Sequence, residues 1–198
     1  MMTIHITAPK KMTFIHLEKN GGISFKKWCN ANLKPTTFYK IISKHASVQQ
    51  VKDKFPNPGY IFTIIRNPYA REISWYHYIQ KKTYQRRYRC IARGNSPEKF
   101  DKVIAQLESL TLKQYLMTQK TISTQMVRLK AGVDYVIKLE QIHKDFRHIQ
   151  DLTNCYEPFP ITNTSLHAKY QHYYDDELKE FIYNKHKVDF DEFGYTFD

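Results

Sequence analysis

The chain has 198 residues, 41% of them hydrophobic, which suits one domain with a sizeable core. No window holds eighteen apolar residues in a row, which argues against a transmembrane helix. The balance of 31 Lys and Arg against 19 Asp and Glu leaves a net charge of +12, which favours anionic partners: nucleic acid, acidic glycans, membrane surfaces or phosphorylated cofactors. Three cysteines, Cys29, Cys90 and Cys155, are odd in number and far apart. They read as free buried thiols in a reducing compartment rather than as a disulfide framework.

In chain order, "MMTIHITAPKK" lacks the long apolar core of a signal peptide, so the expected location is cytoplasmic. Apolar runs bounded by turn residues predict strands at Met12–Leu17, Thr37–Ile42, Tyr60–Ile65 and Tyr135–Leu139. The run "YIFTII" is apolar nearly throughout, as in a strand buried on both faces of a parallel sheet. Helical patterns fall between the strands. Ser24–Asn32 follows the first. Ser47–Lys54 follows the second, with Ser47 as N-cap. A helix from Pro68 follows the third, with Asn67 placed to cap it and Pro68 suited to the first helical position. Further helices are predicted at Pro97–Leu107, Thr111–Thr118, Gln141–Leu152 and Asp175–Lys187, the last burying Leu178, Phe181 and Ile182. Alternating strand and helix means an α/β fold: one domain over residues 1–198, with a central parallel β-sheet flanked by helices. Ligands of such sheets gather at the C-terminal strand ends, here "EKNGGIS", "SKH" and "RNP".

The first of these ends carries a strand–glycine turn–helix layout. Amides at a helix start carry partial positive charge, and Gly21 and Gly22 let a phosphate approach closely. Lys19 adds a mobile charge and Ser24 a hydroxyl. A nucleotide-triphosphate loop places its lysine after the glycines, whereas here it comes before them. The second constellation is "IIRNPYAREISWYHY". Arg66 ends a strand and offers a fork of donors to phosphate, and Ser74 lies about two helical turns on. Pairing of Arg66 with a carboxylate, and simple packing of Ser74, is the other reading. The third is "KHAS", where His45 ends the second strand beside the first and could serve as a general base. A basic run, "KKTYQRRYRCIAR" from Lys81 to Arg93, reads either as a solvated helix face or as a groove for an anionic substrate. Asn163-Thr164-Ser165 matches a glycosylation acceptor, which means little without a secretory signal.

Taken together, "HLEKNGGIS" (His16–Ser24) and "RNPYAREIS" (Arg66–Ser74) resemble the two phosphate motifs of the sulfotransferases that use 3′-phosphoadenosine 5′-phosphosulfate, above all the carbohydrate-type branch. "KHASVQQVKDKF", "VDYVIKLEQIHKDF" and the closing "YYDDELKEFIYNKHKVDFDEFGYTF" extend the resemblance from about Met12 to Phe197. It implies a P-loop-NTPase-like fold and transfer of a sulfuryl group from that donor to an acceptor hydroxyl or amine, with a carbohydrate as the expected acceptor. Adenosine 3′,5′-bisphosphate would be the product, and no metal would be needed. It implies that Lys19, Asn20, Gly21, Gly22, Ile23, Ser24 and Phe25 hold the 5′-phosphosulfate, and that Arg66 and Ser74 hold the 3′-phosphate. His45 would be the base and Lys19 would stabilise the leaving oxygen; Asn163–Lys169 would form a loop near the nucleotide.

The motif departs from the family at three places. Glu18 stands for a proline and puts an acid beside an anion site; it is also the rival base, since it adjoins Lys19 and acidic bases occur elsewhere in the wider family, although its nearness to the donor's negative charge argues against it. Asn20 and Ile23 stand for two threonines, so one hydroxyl contact to phosphate could be lost. Two other classes stay open. A basic nucleic-acid-binding module fits the charge and the interleaved tyrosines but lacks any recognition signature, so nucleic acid is not expected as a partner. A P-loop phosphotransferase is disfavoured by the lysine order. No metal-ligand spacing occurs: there is no C-x-x-C or H-E-x-x-H.

Overall fold

The computed structural model describes residues 3–40, 45–119, 122–162 and 168–198. In chain order its elements are β1 (Ile4–Ile6), β2 (Met12–Ile15), α1 (Gly22–Asn32), β3 (Phe38–Lys40), α2 (Val48–Lys54), β4 (Tyr60–Ile65), α3 (Pro68–Ile91), α4 (Glu98–Ser109), α5 (Leu112–Thr118), α6 (Met126–Leu129), β5 (Tyr135–Lys138), α7 (Ile142–Asp145), α8 (Arg147–Thr153) and α9 (Asp176–Phe193). They fall into two compact units: Met1–Asn67 with Ser123–Thr164, and Pro68–Ile122 with Ser165–Asp198.

The first unit is built on a five-stranded sheet of order β3-β1-β2-β4-β5. β4 pairs in parallel with β2 on one side and β5 on the other, and Ile61 to Ile65 are all buried, as the unbroken apolar run predicts. The sheet is not wholly parallel, however. β1, absent from the sequence-based reading, is antiparallel to both β2 and β3, so it opposes the other four strands. The cause is chain length: residues 7–11 join β1 to β2 and are too few for a parallel crossover. β1 also separates β3 from β2, so the second predicted strand is not a neighbour of the first. That strand spans Phe38–Lys40, and its predicted end at Ile41–Ile42 lies outside the described residues.

The core of this unit is aromatic. Phe14 of β2, Phe62 of β4, Phe25 and Trp28 of α1 and Phe146 pack together, with ring centroids 4.4 to 6.2 Å apart. Positions 25, 28 and 29 repeat at the i, i+3, i+4 spacing, which turns one stripe of α1 onto the sheet. Cys29 is buried there and burial pushes its thiol up, while Cys90 and Cys155 are only half-buried, so the expectation of three buried thiols holds for one. Ser47 caps α2 as predicted: its hydroxyl accepts from the Gln50 amide at 3.2 Å, and the Gln50 side chain accepts from the Ser47 amide at 2.9 Å. The helix predicted over Gln141–Leu152 breaks into α7 and α8. Asp145 is drawn to β5 at the break, its carboxylate accepting from the Lys138 amide at 3.1 Å and its carbonyl from the Tyr135 hydroxyl at 3.1 Å.

The second unit is helical. α3 starts at Pro68, as expected, and runs 24 residues. α9 starts one residue after its cap Asp175, which accepts from the Leu178 amide at 2.8 Å, and continues past the predicted Lys187 to Phe193, ending on Gly194 in a left-handed conformation. Leu178 and Ile182 are buried and Phe181 is partly buried, in a cluster with Tyr69, Ile73, Leu116, Tyr174 and Phe190. Tyr170 donates to the Phe197 carbonyl at 2.7 Å, which ties down the end of the chain. In the basic run, Arg87 is engaged by Asp101 of α4 while Lys81, Arg86, Arg89 and Arg93 point outward. Among the described residues no helix is long and apolar enough to cross a membrane.

Candidate active site

The glycine turn joins β2 to α1 in the first unit. Lys19 has φ 68° and Gly21, the residue before the helix, has φ 77°. The left-handed region is natural for glycine but costs a lysine of order 1–3 kcal/mol. Gly22 is needed for a different reason. A Cβ there would lie 1.7 Å from the Cδ2 of His16, so the imidazole of His16 occupies the space where a side chain would be. The first amides of α1 have no partner within the helix by its geometry. The Phe25 amide already donates to the Gly21 carbonyl at 3.0 Å, and the Phe25 ring is core. Within the first turn of the helix the free donors are therefore those of Gly22, Ile23 and Ser24, which lie inside the Asn20–Phe25 stretch expected from sequence.

The Ser24 hydroxyl is not idle: it bonds the Thr162 hydroxyl at 2.9 Å and accepts from the Thr162 amide at 3.3 Å. Asn20 is buried, and its side-chain amide points inward. One Nδ2 hydrogen goes to the Ile64 carbonyl at 2.9 Å and the other to Gln125 Oε1 at 2.5 Å. A threonine could not make both bonds, so asparagine at position 20 has a structural use: it staples the turn to the end of β4. Gln125, fully buried, completes the staple. Its Oε1 also accepts from the Arg66 amide at 2.9 Å and its Nε2 donates to the Arg66 carbonyl at 3.0 Å. Arg66 thus follows β4 directly and its Nη1 lies 3.5 Å from the Lys19 carbonyl. The "EKNGG" and "RNP" ends predicted to meet at the sheet's C-terminal edge do meet. Ser74 lies in the second unit, on the second turn of α3, and is buried.

His45 sits in a turn ahead of α2, and residues 41–44, between it and β3, lie outside the described residues. It nonetheless reaches the glycine turn. Its Nδ1 is 3.1 Å from the His16 carbonyl and 3.5 Å from Glu18 Oε1, and its ring is 4.9 Å from that of His16. Burial and the nearby Arg128 hold its pKa below the ordinary value, against the opposing pull of Glu18 and the His16 carbonyl. The imidazole is therefore neutral near pH 7, the form a base requires. Glu18, the acid that looked misplaced beside an anion site, is bonded by Arg128 Nη2 at 2.9 Å. Arg128 Nη1 also donates to the His45 carbonyl.

Gln125, Arg128 and Thr162 were missed by the sequence reading. Their contacts span from 59 to 138 residues of chain, and no local spacing announces them. One signal was present: an acid next to a predicted anion site calls for a cation to neutralise it. The loop predicted near the nucleotide at Asn163–Lys169 lies, from 163 to 167, outside the described residues. Among the described residues no cluster of three or more His, Cys, Asp or Glu could hold a metal ion.

No family model and no curated protein matches the chain. Among solved structures it is similar to a sulfotransferase from Alicyclobacillus acidocaldarius, with 14% identity and a TM-score of 0.34 over 75% of this chain and 59% of that one. The chain thus spans less than two thirds of that protein.

Proposed function

We propose that this protein transfers a sulfuryl group from 3′-phosphoadenosine 5′-phosphosulfate to an acceptor hydroxyl, with both units acting as one catalytic domain. The observation that carries this reading is the meeting, in the first unit, of a helix-start anion turn with a neutral histidine one ring away, at 4.9 Å from the His16 that packs on Gly22. Anion cradle and base together suit group transfer from a phosphorylated donor to a weak nucleophile. The sequence motifs described above favour sulfate over phosphate but do not bear on the acceptor; a carbohydrate is suggested only by the resemblance to the carbohydrate-type branch.

In this reading the amides of Gly22, Ile23 and Ser24 hold the 5′-phosphate, and Arg66 holds the 3′-phosphate. As the acceptor oxygen bonds to sulfur, its proton passes to His45 and the bond from sulfur to the phosphate oxygen breaks. Lys19 stabilises the charge that builds on that leaving oxygen, and adenosine 3′,5′-bisphosphate departs. Incubation with the donor and a panel of glycans and small alcohols, read by mass spectrometry, tests this. A product heavier by one sulfate is expected. Turnover should be unchanged in excess chelator; complete loss restored by magnesium would instead favour a phosphotransferase.

A further inference from the structure

We propose that Glu18 and Arg128 are positioning residues that hold His45 with its proton on Nδ1, leaving Nε2 as the atom that accepts a proton. The inference rests on the reading of His45 as the base, and it is carried by a closed loop of contacts. His45 Nδ1 faces two acceptors, the His16 carbonyl at 3.1 Å and Glu18 Oε1 at 3.5 Å. A lone pair on Nδ1 would oppose both oxygens, so the hydrogen belongs there and the lone pair on Nε2. Glu18 is fixed in turn by Arg128 Nη2 at 2.9 Å, while Nη1 of the same guanidinium donates to the His45 carbonyl. One guanidinium therefore grips both the carboxylate and the backbone of the histidine that the carboxylate orients. The His16 ring, tilted 30° to that of His45, lies against it.

This arrangement answers the choice left by the sequence. Glu18 is on the Nδ1 side of His45 and is already bonded to a cation, so it is poorly placed to take a proton from an acceptor. It is well placed to stabilise the imidazolium that forms when Nε2 does. Arg128 also offsets the charge that would otherwise repel an anionic donor. It acts from α6, whose preceding residue Gln125 staples the glycine turn to β4. A segment of four residues thus braces both the phosphate turn and the base.

Glu18 and Arg128 pull the His45 titration in opposite directions, the carboxylate upward and the guanidinium downward. The test is nitrogen-15 NMR of the His45 ring in the protein without nucleotide, for the unsubstituted chain, Glu18→Gln and Arg128→Gln. The unsubstituted ring should show a protonated Nδ1 and an unprotonated Nε2. Its titration midpoint should fall in Glu18→Gln and rise in Arg128→Gln; because the signs differ, either variant suffices if the other fails to fold. In Glu18→Gln kcat should fall about tenfold or more, part of the 10²–10⁴-fold a general base contributes, with affinity for adenosine 3′,5′-bisphosphate nearly intact. Glu18→Asp should recover part of the loss. A midpoint indifferent to both substitutions, or an unprotonated Nδ1, overturns the proposal even if sulfated products form. If the ring behaves as stated and no acceptor is ever sulfated, the positioning stands and sulfuryl transfer falls.

Discussion

Arg66 is the residue on which donor selectivity should turn. Its guanidinium lies beside the Lys19 carbonyl and its backbone is clamped on both sides by Gln125. A charge-assisted hydrogen bond contributes about 1.5–3 kcal/mol, so Arg66→Ala should weaken adenosine 3′,5′-bisphosphate binding by roughly one to two decades. Calorimetry on the bisphosphate and on AMP checks this, and equal affinity of the unsubstituted protein for both would remove the 3′-phosphate role. A second residue-scale prediction concerns a buried cluster in the other unit. His186, at a kink in α9, has Nε2 2.7 Å from Glu72 Oε1 and Nδ1 3.6 Å from Asp189, and Lys185 donates to the same Glu72 oxygen at 2.8 Å. Burial disfavours the charged imidazole, but Asp189 and Glu72 outweigh it and raise the His186 pKa above 6.5. Burial likewise opposes the Glu72 carboxylate, yet His186 and Lys185 bring its pKa below 4.5. The histidine's contribution to stability is fully present below 6.5 and is lost as pH rises through its folded value. The carboxylate's is present above 4.5 and is lost as pH falls through its folded value. Urea denaturation should therefore show this contribution at its fullest between 4.5 and 6.5, with a fall on the alkaline side that His186→Gln flattens. An alkaline fall unchanged in His186→Gln would count against the pair.

At the scale of the element, α1 has two jobs with separate residues. Its inward stripe, Phe25, Trp28 and Cys29, holds it on the sheet. Trp28 is wedged edge-on against Phe146 at 5.0 Å and donates to the Glu157 carbonyl at 2.8 Å. Trp28→Ala should cost about 3–5 kcal/mol of unfolding free energy, measured by denaturant titration, and a loss under about 1 kcal/mol would mean the helix is held by something else. Its first turn carries the amides proposed to hold the donor. Gly22→Ala places a methyl where the His16 ring lies, so the ring must move, and with it the surface packed on His45. Bisphosphate affinity and turnover should both fall in Gly22→Ala, whereas a substitution at exposed Lys27 on the same helix should change neither. Normal binding by Gly22→Ala would show that the turn can open without harm.

For the whole molecule, the +12 charge is the relevant property. Summed over the surface it draws polyanions in and is weakened by salt. Affinity for the bisphosphate should drop steadily between about 0.05 and 0.5 M salt. A salt-independent affinity would mean that the two phosphates are not held by cations at all.

Local pattern alone determined β4 and the starts of α2 and α3. The apolar run "YIFTII" has one favourable environment, Ser47 with Gln50 closes a capping box, and proline at 68 suits only the first helical turn. It also marked "EKNGGIS" and Arg66 as strand-end segments, because glycine spacing and the end of an apolar run are local, and the two do come together. Only the tertiary structure decided the rest. β1 is three residues long and becomes a strand by pairing on both edges, at the cost of the expected all-parallel sheet. The break between α7 and α8 follows from bonds to β5. The uses of Glu18 and Asn20 depend on Arg128 and Gln125, more than a hundred residues away in the chain. A side chain's local neighbours fix its backbone preference, whereas the partner that neutralises a charge or takes a buried hydrogen bond is whatever the fold brings within 3 Å.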